Sequence, residues 1–136
     1  ADWEPTQWGE GVYRAHWSEA QARSGRRCVG LESEAGADCA WFQRVAVEPH
    51  SRYRLAGWIR TQDVAPGTGC GAFLNVQEVQ SVKSSVLTGT RDWTRVEMVF
   101  DSGAHETVQA NCLLGGWGRS TGKSWYDDLS LSKLSP

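Results

Sequence analysis

Short segments in which apolar and polar residues alternate recur along this chain, and turn signals separate them. In residues 53–60 the apolar side chains Tyr53, Leu55 and Ile59 occupy alternate positions, and residues 108–114 repeat the pattern. Successive side chains of a strand point to opposite faces, so this pattern predicts strands, and no long helical periodicity competes with it. Nine strands are predicted, near residues 11–17, 27–33, 39–48, 52–62, 70–79, 84–88, 93–101, 106–115 and 123–132. Nine strands of this length indicate one all-β domain, residues 1–136, built as a sandwich of two antiparallel sheets.

The alternation also predicts which side chains point away from the core. If Tyr53, Leu55 and Ile59 face inward, Trp58 lies on the outer face between arginines. The same reasoning applied to residues 72–76 and 108–114 leaves aromatic and amide side chains outside. The predicted outward set is Arg54, Trp58, Arg60, Phe73, Asn75, Gln109, Asn111 and Leu113. Amides and guanidinium groups beside aromatic rings suit the hydroxyl groups of a sugar, although an ordinary polar face with two stray aromatics gives the same pattern.

Composition favours sugar binding over an ordinary polar face, because eight of the 136 residues are tryptophan. A core of this size needs one or two. The C–H groups of a pyranose stack on an aromatic ring while its hydroxyls bond to polar residues at the rim. Surplus tryptophans therefore indicate surface platforms for a glycan, and the alternative is a sandwich that uses tryptophan as core filler.

Charge and hydropathy narrow the range of partners. The formal net charge is −2, whereas binding to nucleic acid or to an anionic membrane surface favours a basic excess. The longest apolar runs reach four or five residues, too few to span a bilayer. We therefore expect neither a nucleic acid nor a membrane as partner.

Four cysteines, Cys28, Cys39, Cys70 and Cys112, lack the paired C-x-x-C spacing of a zinc or redox motif. In a secreted domain they would form two disulfides. The pairing Cys70–Cys112 is favoured because both lie on predicted strands with the same inward parity. Cys28 and Cys39 could bridge a hairpin, although simple alternation puts them on opposite faces, and buried free thiols remain the alternative.

Five segments resemble, in order, motifs of carbohydrate-binding modules of families 4, 9, 16 and 22. They are residues 2–8 (an "F-E…W" opening), 24–31 ("S-G-x-x-S-L-x-I"), 41–55 ("W-x-Q-x-V-x-V-x-P…Y-x-L"), 92–96 ("W-x-x-V") and 125–131 ("F-D-D-V-x-L"). The resemblance covers nearly the whole chain. It implies a galactose-binding-like jelly roll with a concave face and rim loops, and a module that binds polysaccharide without catalysis of its own.

The resemblance also implies a structural calcium ion where the N-terminal segment meets the last strand. Glu4 matches the acidic residue of the family at that site, and Asp127 or Asp128 matches the C-terminal one. Backbone carbonyls of residues 23–27 would complete the shell of oxygens that calcium prefers. Such an ion would fasten both chain ends to the sandwich.

The glycine-rich stretch 115–122 carries Trp117 between glycines. Its ring would close one end of a groove from a loop, or else lie as a plug under its own loop. The stretch lacks the lysine and hydroxyl order of a phosphate-binding loop, which argues against a nucleotide.

The sequence thus predicts a carbohydrate-binding module and no enzyme, excised from a larger secreted or cell-surface protein. Its polysaccharide or oligosaccharide ligand would contact three stacking rings and three hydrogen-bonding side chains, chosen by face parity. These are Trp58, Phe73 and Trp117 for stacking, and Arg60, Asn75 and Asn111 for hydrogen bonds. Arg54 and Arg60 hint at an acidic or sulfated glycan. The rival hypothesis is a structural or protein-interaction sandwich that packs its Trp-rich face on a neighbouring domain.

Overall fold

The computed structural model describes residues 3–18, 22–23 and 28–134, and these residues form nine strands and no helix. In chain order the strands are β1 Glu4–Gln7, β2 Arg14–Ser18, β3 Cys28–Ala37, β4 Cys39–Ala46, β5 Arg52–Ala65, β6 Gly71–Val76, β7 Gly89–Asp101, β8 Thr107–Gly115 and β9 Ser120–Lys133. Accordingly, none of the described residues belongs to a helix that could cross a membrane.

The strands form two antiparallel sheets. One has four strands in the order β1-β4-β8-β6, and the other has five in the order β2-β3-β9-β5-β7. Neighbours in each sheet are mostly distant in the chain, which is characteristic of a jelly roll. The predicted all-β sandwich of two antiparallel sheets is confirmed.

One predicted strand is absent, and one observed strand was not predicted. Residues 84–88 form no strand, and only an isolated bridge joins Leu87 to Ala72. The strand β1, of sequence Glu4-Pro5-Thr6-Gln7, was not predicted because it contains no apolar alternation. Its main chain nevertheless pairs with β4, from Glu4 opposite Phe42 to Gln7 opposite Cys39.

The core lies between the sheets, and it holds the side chains that alternation placed inward. Tyr53, Leu55 and Ile59 of β5 are at most 7% exposed. On β6 and β8, the inward-facing residues Ala72, Leu74, Val76, Val108, Ala110, Cys112 and Leu114 all belong to the same buried cluster. Binary patterning thus placed the faces of these strands correctly.

A second, smaller apolar cluster lies on the outer face of the four-stranded sheet. Ala40, Phe73 and Leu113 are buried there, with Trp8, Cys70 and Val86 packed against them. If this face of the sheet were open to solvent, these side chains would be exposed. Their burial shows that other parts of the chain cover the face. The cover consists of a loop and of aromatic side chains, and it defines the candidate site.

The predicted disulfide between Cys70 and Cys112 is wrong, and all four cysteines are free thiols. Cys112 faces the main core, whereas Cys70 lies with the outer cluster on the other side of the same sheet. The parity argument failed at Cys70 because that residue precedes β6 and its Sγ instead approaches the main-chain oxygen of Gly116, at 3.6 Å. Burial raises the pKa of the Cys39 thiol to about 12, so this thiol stays protonated at neutral pH.

Candidate functional site

The six ligand-binding residues predicted from sequence divide between two opposite faces of the sandwich. Trp58 and Arg60 belong to β5 in the five-stranded sheet, while Phe73, Asn75 and Asn111 belong to β6 and β8 in the four-stranded sheet. All five point away from the shared core, as alternation predicted. They do not form one platform, because the two sheets turn their outer faces in opposite directions.

Trp58 and Arg60 lie in a layer of stacked cations and aromatic rings on the five-stranded sheet. The guanidinium of Arg23 lies 3.6 Å from the centre of the Trp58 ring. Arg60 lies over Trp125, at 5.9 Å from its ring centre. A ring face already covered by a guanidinium is not free to stack on a sugar, so these residues form a different environment from that of Phe73 and Asn75.

The outer face of the four-stranded sheet carries a cleft of about 340 Å³ whose lining includes two tryptophans. Its lining consists of Trp8, Asp38, Asn75, Gln77, Gln80, Leu113, Gly116 and Trp117. This volume lies at the small end of the range for ligand pockets, about 300–1,000 Å³. The cleft thus combines aromatic walls with an amide-bearing floor.

Trp117 projects from the loop between β8 and β9 and is 57% exposed. It stacks on Phe73, with ring centres 5.9 Å apart and planes inclined by 19°. The ring thus packs on Phe73 while more than half of the residue stays exposed, and it lines the cleft. Phe73 itself is completely buried and acts as the support of this platform, so the expectation that it is exposed was wrong.

The floor of the cleft is a network of side-chain amides. Asn111 donates from Nδ2 to Asn75 Oδ1 at 2.9 Å and to Gln77 Oε1 at 3.0 Å, and it accepts from Gln109 Nε2 at 3.0 Å. Asn75 and Asn111 are directly opposite each other in the register of β6 and β8. The network thus follows from strand pairing.

The same network determines which amides can reach a ligand. Asn111 is fully buried and serves as the hub, which corrects the prediction that it is on the surface. Within the described residues, the side-chain oxygens of Asn75 and Gln77 accept these bonds and their NH₂ groups take no part. Both residues line the cleft, but Asn75 is only 3% exposed while Gln77 is partly exposed, so Gln77 offers the more accessible donor.

Sequence reasoning missed Trp8, Asp38, Gln77 and Gln80 as cleft residues. Trp8 follows the strand that was not predicted, and Asp38 lies between the strands predicted near residues 27–33 and 39–48. The signal for Gln77 was present, because the outward parity of Phe73 and Asn75 continues to it two residues further on.

The three carboxylates predicted to bind calcium are not gathered into one cluster. Among the described residues, no group of three or more His, Cys, Asp or Glu side chains is placed to hold a metal ion. Glu4 is exposed on β1 of the four-stranded sheet, whereas Asp127 and Asp128 belong to β9 of the other sheet. Residues 24–27, expected to supply carbonyl oxygens, lie outside the described residues.

The two aspartates interact with Arg23. Its main-chain N–H donates to Asp127 Oδ2 at 2.9 Å, and its guanidinium donates to Asp128 Oδ2 at 2.7 Å. The same guanidinium covers Trp58. A cation is therefore already present beside these carboxylates, and it is a side chain of the protein.

Three glutamates on different strands or turns have partners within the fold. Glu48 pairs with Lys133 at 2.7 Å, and Glu97 pairs with Arg54 at 3.2 Å. Glu78 accepts the main-chain N–H of Gln109 at 2.8 Å. These contacts give each carboxylate a role in the fold.

Solved structures share this fold at low sequence identity. The CBM22-2 xylan-binding domain of Xyn10C from Paenibacillus barcinonensis superposes with a TM-score of 0.69 at 12% identity, covering 98% of this chain and 92% of that one. TmCBM61, solved in complex with β-1,4-galactotriose, has a TM-score of 0.60 at 16% identity, covering 97% and 88%. No protein-family model matches the chain, and no curated protein matches its sequence.

A larger protein contains the fold as one part. The enzymatically active domain of tailspike protein 4 from bacteriophage CBA120 has a TM-score of 0.67 at 13% identity, and the match covers 98% of this chain but 20% of that one. The chain therefore has the galactose-binding-like jelly roll found in carbohydrate-binding modules, and this confirms the fold that the sequence motifs implied.

Proposed function

We propose that this chain is a non-catalytic carbohydrate-binding module that takes a neutral polysaccharide or oligosaccharide in the cleft between Trp8 and Trp117. The observation that carries the proposal is the pair of tryptophans beside a floor of amide donors. The exposed side of Trp117 would stack on a sugar ring, and Asn75 and Gln77 would donate to its hydroxyls.

The charge of the cleft favours a neutral glycan over an acidic one. Among the described residues that line it, none is Lys or Arg, and Asp38 is the charged member. Arg54 and Arg60, which hinted at an acidic glycan, lie on the opposite sheet. A carboxylated or sulfated sugar would therefore meet a carboxylate and no compensating cation.

The shape of the cleft supports weak binding of a short stretch of glycan. It is shallow, open to water and lined by few donors, so we expect dissociation constants of about micromolar to millimolar. We further propose that the module acts within a larger secreted or surface protein, where the linked parts would raise the effective affinity.

Affinity gel electrophoresis against glucans, xylans, mannans, galactans and pectins tests this function. We expect retardation by at least one neutral polymer, and stronger retardation by neutral polymers than by carboxylated or sulfated ones. Retardation by acidic polymers alone would contradict the neutral-glycan assignment. Absence of retardation by every polymer, together with self-association of the folded domain, would favour the protein-interaction hypothesis.

A further inference from the structure

Asp38 lines the cleft, and it forms hydrogen bonds with the main chain beside Trp117 and with the main chain of Trp8. It is the single residue between β3 and β4, and it is half-buried. Its main chain and its side chain contact different walls. Neither contact follows from the sequence pattern, which leaves Asp38 between two predicted strands.

The side chain of Asp38 holds the loop that carries Trp117. Asp38 Oδ1 accepts the main-chain N–H of Gly116 at 2.9 Å. The main-chain N–H groups of Trp117 and Gly118 also stabilise the carboxylate and lower its pKa, although burial has the larger effect and leaves the pKa raised. The hydrogen bond from Gly116 thus ties the loop that carries Trp117 to the Asp38 carboxylate.

The main chain of the loop that carries Trp117 is tightly constrained. Trp117 has a φ of 55°, a conformation that costs energy for a residue with a side chain. The glycines beside it lie against other main chain and rings, since a Cβ on Gly116 would come within 2.4 Å of Phe73 and one on Gly118 within 2.1 Å of Thr68 O.

The main chain of Asp38 holds the other wall. Its carbonyl oxygen accepts the N–H of Trp8 at 2.8 Å. This bond fixes Trp8 just beyond the end of β1, where the ladder with β4 has finished. Asp38 therefore holds both tryptophans in place. Its carboxylate bonds to the loop that carries Trp117, and its carbonyl group bonds to Trp8.

We infer that Asp38 is the positioning residue of the cleft, which sets the orientation of Trp117 through its carboxylate before any ligand binds. The inference rests on the proposed function for its effect on affinity, but its geometric part stands apart from any ligand. Holding Trp117 in place in the free protein lowers the ordering cost of binding.

Asp38→Ala removes the side-chain anchor and leaves the carbonyl bond to Trp8 in place. Amide hydrogen exchange of the ligand-free protein is the first measurement, and we expect the N–H groups of residues 116–118 to lose protection. Asp92→Ala is the matched control, because Asp92 Oδ1 accepts the N–H of Trp93 at 2.8 Å on the opposite sheet. Unchanged protection at residues 116–118 in Asp38→Ala would overturn the inference, whether or not a glycan binds.

Calorimetry with a neutral glycan that the wild type retains is the second measurement. Asp38→Ala should weaken binding by about three- to tenfold, the cost of ordering one large side chain at the moment of binding, and Asp92→Ala should leave it unchanged. In a Trp117→Ala background, Asp38→Ala should have no further effect, since its influence passes through Trp117. An equal loss in that background would mean that Asp38 contacts the ligand directly, and would overturn the positioning role.

The two measurements separate failure of the inference from failure of the proposed function. If the wild type binds none of the glycans but residues 116–118 lose protection in Asp38→Ala, the anchor is correct and the function is wrong. If the wild type binds and Asp38→Ala binds equally well, the function stands and the positioning role is wrong.

Discussion

Replacement of Trp117 by alanine is the most direct perturbation of the proposed glycan site. The tryptophan is 57% exposed and its inner side rests on Phe73. Alanine, like tryptophan, carries a Cβ, so the backbone strain at a φ of 55° is nearly the same in the variant and in the wild type. The substitution removes the platform without altering the main chain of the loop.

The expected loss follows from the exposed area. A tryptophan presents about 250 Å², so an exposed fraction of 57% leaves about 140 Å² accessible in the free protein. A sugar stacked on one side covers about half of this, ~70 Å², which at about 25 cal/mol per Å² contributes ~1.8 kcal/mol. Trp117→Ala should therefore raise Kd by about 20-fold.

Isothermal titration with the neutral glycan retained in affinity gels measures this change. Circular dichroism and a thermal melt establish that the variant is folded, with a stability loss of about 1 kcal/mol expected from the lost ring pair with Phe73. Trp17→Ala is the matched control, because Trp17 is 40% exposed but belongs to β2 of the opposite sheet. A Kd within twofold of wild type for Trp117→Ala, or an equal loss for Trp17→Ala, would refute the proposed site.

Three further predictions concern Trp58 on the opposite face, the protonation of Asp38 in the cleft, and the calcium ion that the sequence motifs implied. Trp58→Ala should leave the glycan Kd within about twofold of wild type by titration, since Arg23 covers its ring and the cleft lies on the other sheet. Lowering the pH should weaken binding as Asp38 becomes protonated, with a midpoint above the ordinary 3.8 because burial raises its pKa. Arg23→Gln should increase the rise in Tm caused by calcium over EDTA, because it removes the cation bound to Asp128.

The sign of the pH effect distinguishes it from acid unfolding. A carboxyl group whose pKa is raised in the folded state binds its proton more readily there than in the unfolded chain. Protonation of Asp38 therefore favours the folded state as the pH falls, while the protonated group accepts fewer N–H bonds and loosens the Trp117 loop. A loss of affinity that coincides with loss of circular dichroism, or that persists unchanged in Asp38→Ala, would contradict this assignment.

Controls for the other two predictions come from the same contacts. If Trp58→Ala lost as much affinity as Trp117→Ala, the glycan site would lie on the five-stranded sheet. Equal calcium responses of wild type and Arg23→Gln would show that the guanidinium and the ion do not compete. A large rise in the Tm of the wild type with calcium would support the calcium site that the sequence motifs implied.

The sequence by itself determined the strands and their inner faces. The side-chain period of a strand is two, so Tyr53, Leu55 and Ile59 had to share one face once the segment was extended, and they are buried as predicted. That information is local, since it needs only neighbouring residues. It was insufficient at Glu4-Pro5-Thr6-Gln7, where pairing with β4 makes a strand of residues that have no apolar alternation.

Only the tertiary structure decided which outer faces belong together. Trp58 and Phe73 have the same outward parity, yet they lie on different sheets because strand order depends on long-range pairing. The cleft likewise joins Trp8, Asp38, Asn75 and Trp117 from four separate parts of the chain. The physical reason is that parity assigns a side chain to a face of its own strand, while the packing of loops and the order of strands determine what that face meets.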